Sequence, residues 1–184
     1  MHDVAGLSAA FDQIIGLSYP ERNVFRCVEL IALIGDGTRT VQSLFDLGPR
    51  LSGQRYTPVG GARALYVSEH PSTSYIEATG MFASVAALAQ QNAPAEVQLQ
   101  FRTRLESILD ITLPGNQALL DTNSTELALS WQWQMAMGKT VPTQILGELA
   151  FTSGKFQAIR FPSSRNAEAI NLVIFTERVV APSF

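Results

Sequence analysis

Residues 171–176, Asn-Leu-Val-Ile-Phe-Thr, are apolar on both faces of an extended chain, and such a strand is stable only where both faces are covered. It is therefore predicted to lie centrally in a sheet, and the rest of the chain must supply the layers around it. Residues 97–102 behave differently: Val-Gln-Leu-Gln-Phe-Arg alternates apolar and polar strictly, as a half-buried strand does. Further strands are predicted over residues 24–34, rich in β-branched and aromatic side chains, and over 64–68, 108–113 and 156–161.

Helices account for most of the remainder. Leu7, Phe11, Ile14 and Ile15 stand at helical spacing before Gly16 and Pro20, and a short helix is predicted at residues 40–47. Pro71 opens another, whose apolar face continues through Ala78, Met81, Phe82, Val85, Leu88 and Ala89. Residues 116–136 read as helical in pieces, and 142–151 as one helix that starts at Pro142 and stops before Gly154. Strands cluster around these helices without regular βαβ alternation, so the class is α+β. A chain of 184 residues fits a single domain with a sizeable core.

Composition narrows the partners. A net charge of −3 leaves no basic footprint, so neither DNA nor RNA is expected as the main ligand. The single cysteine, Cys27, excludes an internal disulfide and suits a reducing compartment as a buried apolar residue. With His2 and His70 as the only histidines, no metal site is expected. The first twenty residues lack the basic stretch and continuous apolar run of a signal peptide, and no apolar run is long enough to span a bilayer. A cytoplasmic location is expected, in the producing cell or in one it enters.

The chemistry concentrates in residues 55–77, where Arg55, Tyr66 and Glu77 recur at equal intervals. Gly53 and Thr57-Pro58-Val59-Gly60-Gly61 form turns, then comes a short strand, then the Pro71 helix. In the strand, Leu65 and Val67 face the core and Tyr66 faces the other way, where its ring is available to a ligand.

This stretch resembles the RES-domain family, the toxin half of many bacterial toxin–antitoxin pairs. Members carry roughly Gly-Gly-Arg-Trp-Asn, then a Leu-Tyr strand, then a glutamate in the following helix; here these are Gly53-Gln54-Arg55-Tyr56-Thr57, Leu65-Tyr66 and Glu77. Later come a Pro-Ser often followed by Arg, and an Asn-hydrophobic strand; here they are Phe161-Pro162-Ser163-Ser164-Arg165 and Asn171-Leu172-Val173-Ile174-Phe175. The resemblance spans residues 25–175, with Gln54, Tyr56 and Thr57 as departures.

The resemblance implies a single domain like the ADP-ribosyltransferase fold, two small packed β-sheets flanked by helices around a cleft that holds NAD. On that basis residues 1–22 are an N-terminal helical extension and 23–184 the NAD-processing domain. The implied activity is that of an NAD-degrading toxin, a glycohydrolase or phosphorylase that cleaves the nicotinamide–ribose bond. Two rivals stand beside it: ADP-ribosyl transfer to a protein, and a catalytically inactive domain that binds a partner. NAD is implied as substrate rather than cofactor, and an antitoxin or an immunity protein as partner.

Each candidate residue keeps two readings. Arg55 is a solvated surface arginine, or a guanidinium fork on the NAD pyrophosphate. Arg26 is a second fork, or pairs with a carboxylate at the edge of the core. Glu77 closes a capping box with Ser74, or stabilises the cationic ribose as nicotinamide leaves. Tyr66 is core, or stacks on the nicotinamide or ribose. Ser163 and Asn171 are an ordinary loop serine and turn cap, or hydrogen-bond the substrate.

Other motifs do not hold. Gly138-Lys139-Thr140 has Trp133 where a phosphate-binding loop needs glycine, and Gly35-x-Gly37 lacks the third glycine of a dinucleotide fingerprint. No nucleophile is singled out for a triad with His70. Asn123-Ser124-Thr125 matches a glycosylation acceptor that is idle in the cytosol, and Trp131 and Trp133 read as packing residues.

Overall fold

The computed structural model describes residues 1–35, 52–79, 95–166 and 168–179. The apolar strand β5 (Ile170–Phe175) is central as predicted, pairing antiparallel with β2 (Ala64–Ser68) on one edge and β4 (Ala158–Pro162) on the other. Leu172, Val173, Ile174 and Phe175 are fully buried. Two long strands complete the sheet. β1 (Leu17–Glu29) pairs antiparallel with β3 (Glu96–Asp110) and meets β2 where Phe25 lies opposite Ser68, while the end of β3 runs parallel to β4. The order β1-β2-β5-β4-β3 closes on itself, so the strands form one five-stranded barrel.

That closure corrects the two-sheet expectation. β1 shifts register between Leu17 and Tyr19 and again between Tyr19 and Arg22, and bulges of this kind bend a strand and increase its coiling. Pro20 sits in this irregular stretch, where a missing N–H is tolerated, so it lies within a strand instead of ending a helix. The boundary expected at residue 22 accordingly falls inside β1.

Two other strand readings change. Residues 97–102 and 108–113 are not separate, because β3 runs unbroken from Glu96 to Asp110. The alternation continues through Thr103 and Leu105, both fully buried, but Thr103 is polar and hides the pattern. The strand predicted to reach residue 34 ends at Glu29 and gives way to a short helix, α2 (Leu30–Ile34). A run as uniformly apolar as Leu-Ile-Ala-Leu-Ile has no period to separate strand from helix.

The first helix, α1 (Val4–Gln13), begins after Asp3, whose side chain accepts the Gly6 N–H. It sends Leu7, Ala10 and Phe11 into the main core. α3 (Pro71–Thr79) starts at Pro71 as predicted. The helical pieces after β3 are α4 (Pro114–Leu119), α5 (Ser124–Ala128) and α6 (Trp131–Ala136), with Asn123 and Ser130 capping the last two. α7 (Pro142–Thr152) follows them. The turn at residues 36–37, the helix at 40–47 and the extension of α3 through residue 89 lie outside the described residues.

Alternation along β2, β4 and β5 separates two cores, and in β3 the register shift between Leu105 and Ile108 puts Leu105 and Leu109 on opposite sides. Leu65, Val67, Leu105, Ala158, Leu172 and Ile174 form the inner cluster, as predicted for Leu65 and Val67. Ala64, Leu109, Ile159, Phe161, Val173 and Phe175 project the other way and are covered by Leu7 and Phe11 of α1 and Leu146 and Ala150 of α7. Among the described residues no helix is long and apolar enough to cross a membrane.

On the inner side, Arg160 of β4 binds both oxygens of Glu69, at 2.7 and 3.1 Å, and reaches Asp110 Oδ2 and Thr112 Oγ1 at 3.0 Å each. The Tyr19 hydroxyl adds a bond to Glu69 at 3.3 Å. The bidentate Glu69 contact and Asp110 raise the Arg160 pKa further above its ordinary value. This network links groups from β1, β3 and β4 with Glu69 just beyond β2.

Candidate active site

Register places the site. Phe25 lies opposite Ser68, Ser68 opposite Asn171 and Asn171 opposite Phe161, so four strands bring one row of side chains to the same outer face. Deeper along β2 and β5 this face is packed core. At this row it opens into a cleft of about 660 Å³, lined by all four residues.

Glu77 enters from α3. Gln98 of β3 holds the helix start by donating to Pro71 O at 2.8 Å and to Ser74 Oγ at 2.5 Å. Ser74 lies inside the helix, its N–H on His70 O and its hydroxyl donating back to Pro71 O, so no capping box with Glu77 forms. One turn later Glu77 Oε1 accepts the Ser163 hydroxyl at 2.6 Å and the Asn171 amide at 2.7 Å. Arg165 Nε lies 3.4 Å from Oε2. The carboxylate thus joins α3, β5 and the loop after β4.

Each donor is itself held. Ser163 Oγ accepts the backbone N–H groups of Arg165 and Asn166, both at 3.1 Å. The Ser68 hydroxyl donates to Asn171 Oδ1 at 2.7 Å, which turns the amide nitrogen toward Glu77. Ser68, Ser163 and Asn171 are buried polar residues, each satisfied within this chain of bonds.

Arg55 lines the cleft with its guanidinium engaged in the wall. One terminal nitrogen donates to Leu127 O at 2.5 Å and Leu129 O at 3.0 Å, and the other to Ser164 Oγ at 3.0 Å. It is not a freely solvated arginine, since it ties the end of α5 to the loop after β4. The tight turn that carries it is closed by mutual backbone bonds between Gln54 and Thr57. Tyr56 within this turn is core, its ring 4.6 Å from that of Phe161.

Tyr66 faces away from the inner core, as predicted, and lines the cleft. Its hydroxyl accepts the Tyr56 N–H at 3.0 Å and shares a bond with Thr57 Oγ1 at 3.1 Å, so it braces the Arg55 turn. Burial holds its phenol well above the ordinary tyrosine range. Arg26 lines the same cleft, and burial draws its pKa down. Cys27, also in the wall, is pushed up to about 12 by burial and by its 3.2 Å bond to Glu96, so it stays a neutral thiol near pH 7.

The structure therefore brings Glu77, Ser163 and Asn171 into direct contact and places Arg55, Tyr66 and Arg26 around the same cleft. Sequence reasoning assigns no site role to Ser68 or Ser164, names Arg165 only as part of a motif and reads Trp131 as packing, yet all four line the cleft. Arg165 follows Ser163 by two positions, which was its signal, and Ser68 shares the phase of Tyr66. Among the described residues no three His, Cys, Asp or Glu side chains are grouped to hold a metal ion.

A family model described as RES domain matches residues 32–183. No curated protein matches the sequence. A chain in the crystal structure of the M.tuberculosis MbcT-MbcA toxin-antitoxin complex is similar with a TM-score of 0.66 and 16% identity, over 97% of this chain and 86% of that one. At that identity the likeness concerns the fold.

Proposed function

This chain belongs to the RES domain family, and we propose that it is an NAD-degrading toxin that cleaves the nicotinamide–ribose bond. The observation that carries the reading is Glu77, held by Ser163 and Asn171 at the edge of a cleft that Arg55 and Tyr66 also line. As the bond from the ribose C1 to the nicotinamide nitrogen breaks, nicotinamide leaves with the electron pair and positive charge develops on the ribose. A fixed carboxylate stabilises that charge, with Ser163 and Asn171 holding Oε1 and Arg165 lying beside Oε2. Water then bonds to the ribose carbon and releases a proton to solvent, giving ADP-ribose; inorganic phosphate in its place gives the ribosyl phosphate.

Arg55 and Arg26 supply positive charge for the pyrophosphate, and the Tyr66 ring supplies a flat face for the nicotinamide half. An antitoxin partner is part of the same reading, since the similar solved chain comes from a toxin–antitoxin complex. The test is incubation of the purified protein with NAD, with and without phosphate and cell extract, followed by product identification. Free nicotinamide with ADP-ribose or its phosphate is expected. Labelled protein in the extract would shift the reading to ADP-ribosyl transfer, and full recovery of NAD would reject turnover.

A further inference from the structure

Trp131 opens α6 and forms part of the cleft wall, half-buried, with no ring or cation stacked on it among the described residues. Trp133, two positions on, is exposed and carries the Lys139 ammonium 5.0 Å from its ring centre. The two tryptophans of one short helix therefore sit in different environments.

A chain of contacts links Glu77 to the start of α6 through Arg55. Glu77 contacts Ser163 and Arg165, which flank Ser164; Ser164 accepts from Arg55; and Arg55 donates to Leu129 O, two residues before Trp131. Contacts thus run from Glu77 to Trp131 with the Arg55 guanidinium between them. A dinucleotide whose reacting ribose lies at Glu77 and whose pyrophosphate lies by Arg55 carries its second base beyond that guanidinium.

We propose that the Trp131 indole is the stacking platform for the adenine ring of the substrate, an inference that rests on the NAD reading above. An indole face holds a purine by stacking without reading its edges, and the half-buried position fixes the ring at little cost in side-chain freedom. A cleft of about 660 Å³ is in the range of small-molecule sites and leaves room for a second base.

Trp131 and Trp133 are the only tryptophans, so Trp133→Phe leaves Trp131 as the sole indole reporter. Titrating that variant with AMP or ADP-ribose is expected to quench its fluorescence, whereas nicotinamide mononucleotide is expected to bind without that change. By calorimetry, Trp131→Ala is expected to bind AMP and ADP-ribose roughly 10- to 100-fold more weakly, the scale of losing one stacked base. Trp131→Phe should stay within several-fold of the original affinity, and circular dichroism checks that both variants fold. Binding of ADP-ribose with unchanged Trp131 emission and unchanged affinity in Trp131→Ala would overturn this inference and leave the NAD reading standing. Failure of the unaltered protein to bind either NAD or ADP-ribose would overturn both.

Discussion

Ser163 Oγ donates to Glu77 Oε1 at 2.6 Å while accepting the N–H groups of Arg165 and Asn166, so its one proton is committed to the carboxylate. With both lone pairs of its oxygen taken by these N–H groups, the hydroxyl positions Glu77 and has no free pair with which to attack a substrate. Ser163→Ala is expected to lower kcat roughly 10- to 100-fold, the scale of one hydrogen bond to a charged group, with KM within a few-fold. Mass spectrometry of protein quenched during turnover should show no adduct on Ser163. An ADP-ribosyl-Ser163 species would make it the nucleophile and overturn the assignment.

Ser68 acts one bond further out. Its hydroxyl fixes the Asn171 amide, and Asn171 completes the pair of donors on Glu77 Oε1. Ser68→Ala is expected to reduce kcat about 10-fold, the net scale of one hydrogen bond, with NAD affinity unchanged. Ser68→Thr, which keeps the hydroxyl, should recover most of the loss. A fall in affinity without a fall in kcat would mean that Ser68 touches the substrate directly.

Arg55 and Glu77 are expected to fail differently. Arg55→Ala removes positive charge from the cleft and also the ties to Leu127, Leu129 and Ser164, so NAD affinity should weaken by about 1.5–3 kcal/mol and Tm should fall with it. Glu77→Gln keeps the size of the side chain and loses the charge needed when the ribose is cationic. Its NAD affinity by calorimetry should match the original, with turnover slower on the order of 10²-fold. Original turnover in a folded Glu77→Gln variant would remove Glu77 from the mechanism.

The parts of this architecture that were legible in the sequence are those set by local pattern. The all-apolar run of β5 announces its central place, Pro71 marks the start of α3, and the phase of Leu65 and Val67 turns Tyr66 to the outer face. Barrel closure was not legible, because it depends on β1 coiling through two register shifts and on a long β3 whose buried Thr103 carries no apolar signal. Glu77 meets Ser163 and Asn171 across 86 and 94 residues of chain, so only resemblance to a family could group them in advance. The anchors of Arg55 on Leu127 and Leu129 are backbone carbonyls, which no residue type reveals.

Gly147 lets α7 lie directly on the Arg55 turn. A Cβ there would stand 1.8 Å from the Tyr56 carbonyl oxygen, and backbone cannot swing aside as a side-chain tip can. Gly147→Ala is expected to destabilise by about 3 kcal/mol, the upper part of the overpacking range, despite alanine's better helix propensity. Because Arg55 rides on the displaced turn, NAD turnover should fall as well. Urea unfolding and steady-state rates check the two effects together, and a variant as stable as the original would contradict the close approach.

Tyr56 is 1% exposed, and its hydroxyl has no hydrogen-bond partner among the described residues. Burial places its pKa well above the ordinary tyrosine value near 10. The folded chain therefore keeps a proton that the unfolded chain loses above about pH 10, so the unfolded state binds fewer protons and stability falls as pH rises. Each such tyrosine contributes a slope of roughly 1.4 kcal/mol per pH unit between its unfolded and folded pKa values. Tyr56→Phe removes one of these groups. At pH 8 the variant should be as stable as the original or more so, since an unpaired buried hydroxyl is lost while the ring stays against Phe161. At pH 11 its advantage should grow by about 1.4 kcal/mol. Urea unfolding of both proteins at the two pH values decides this: an unchanged difference would mean that the Tyr56 hydroxyl does not keep its proton in the folded chain.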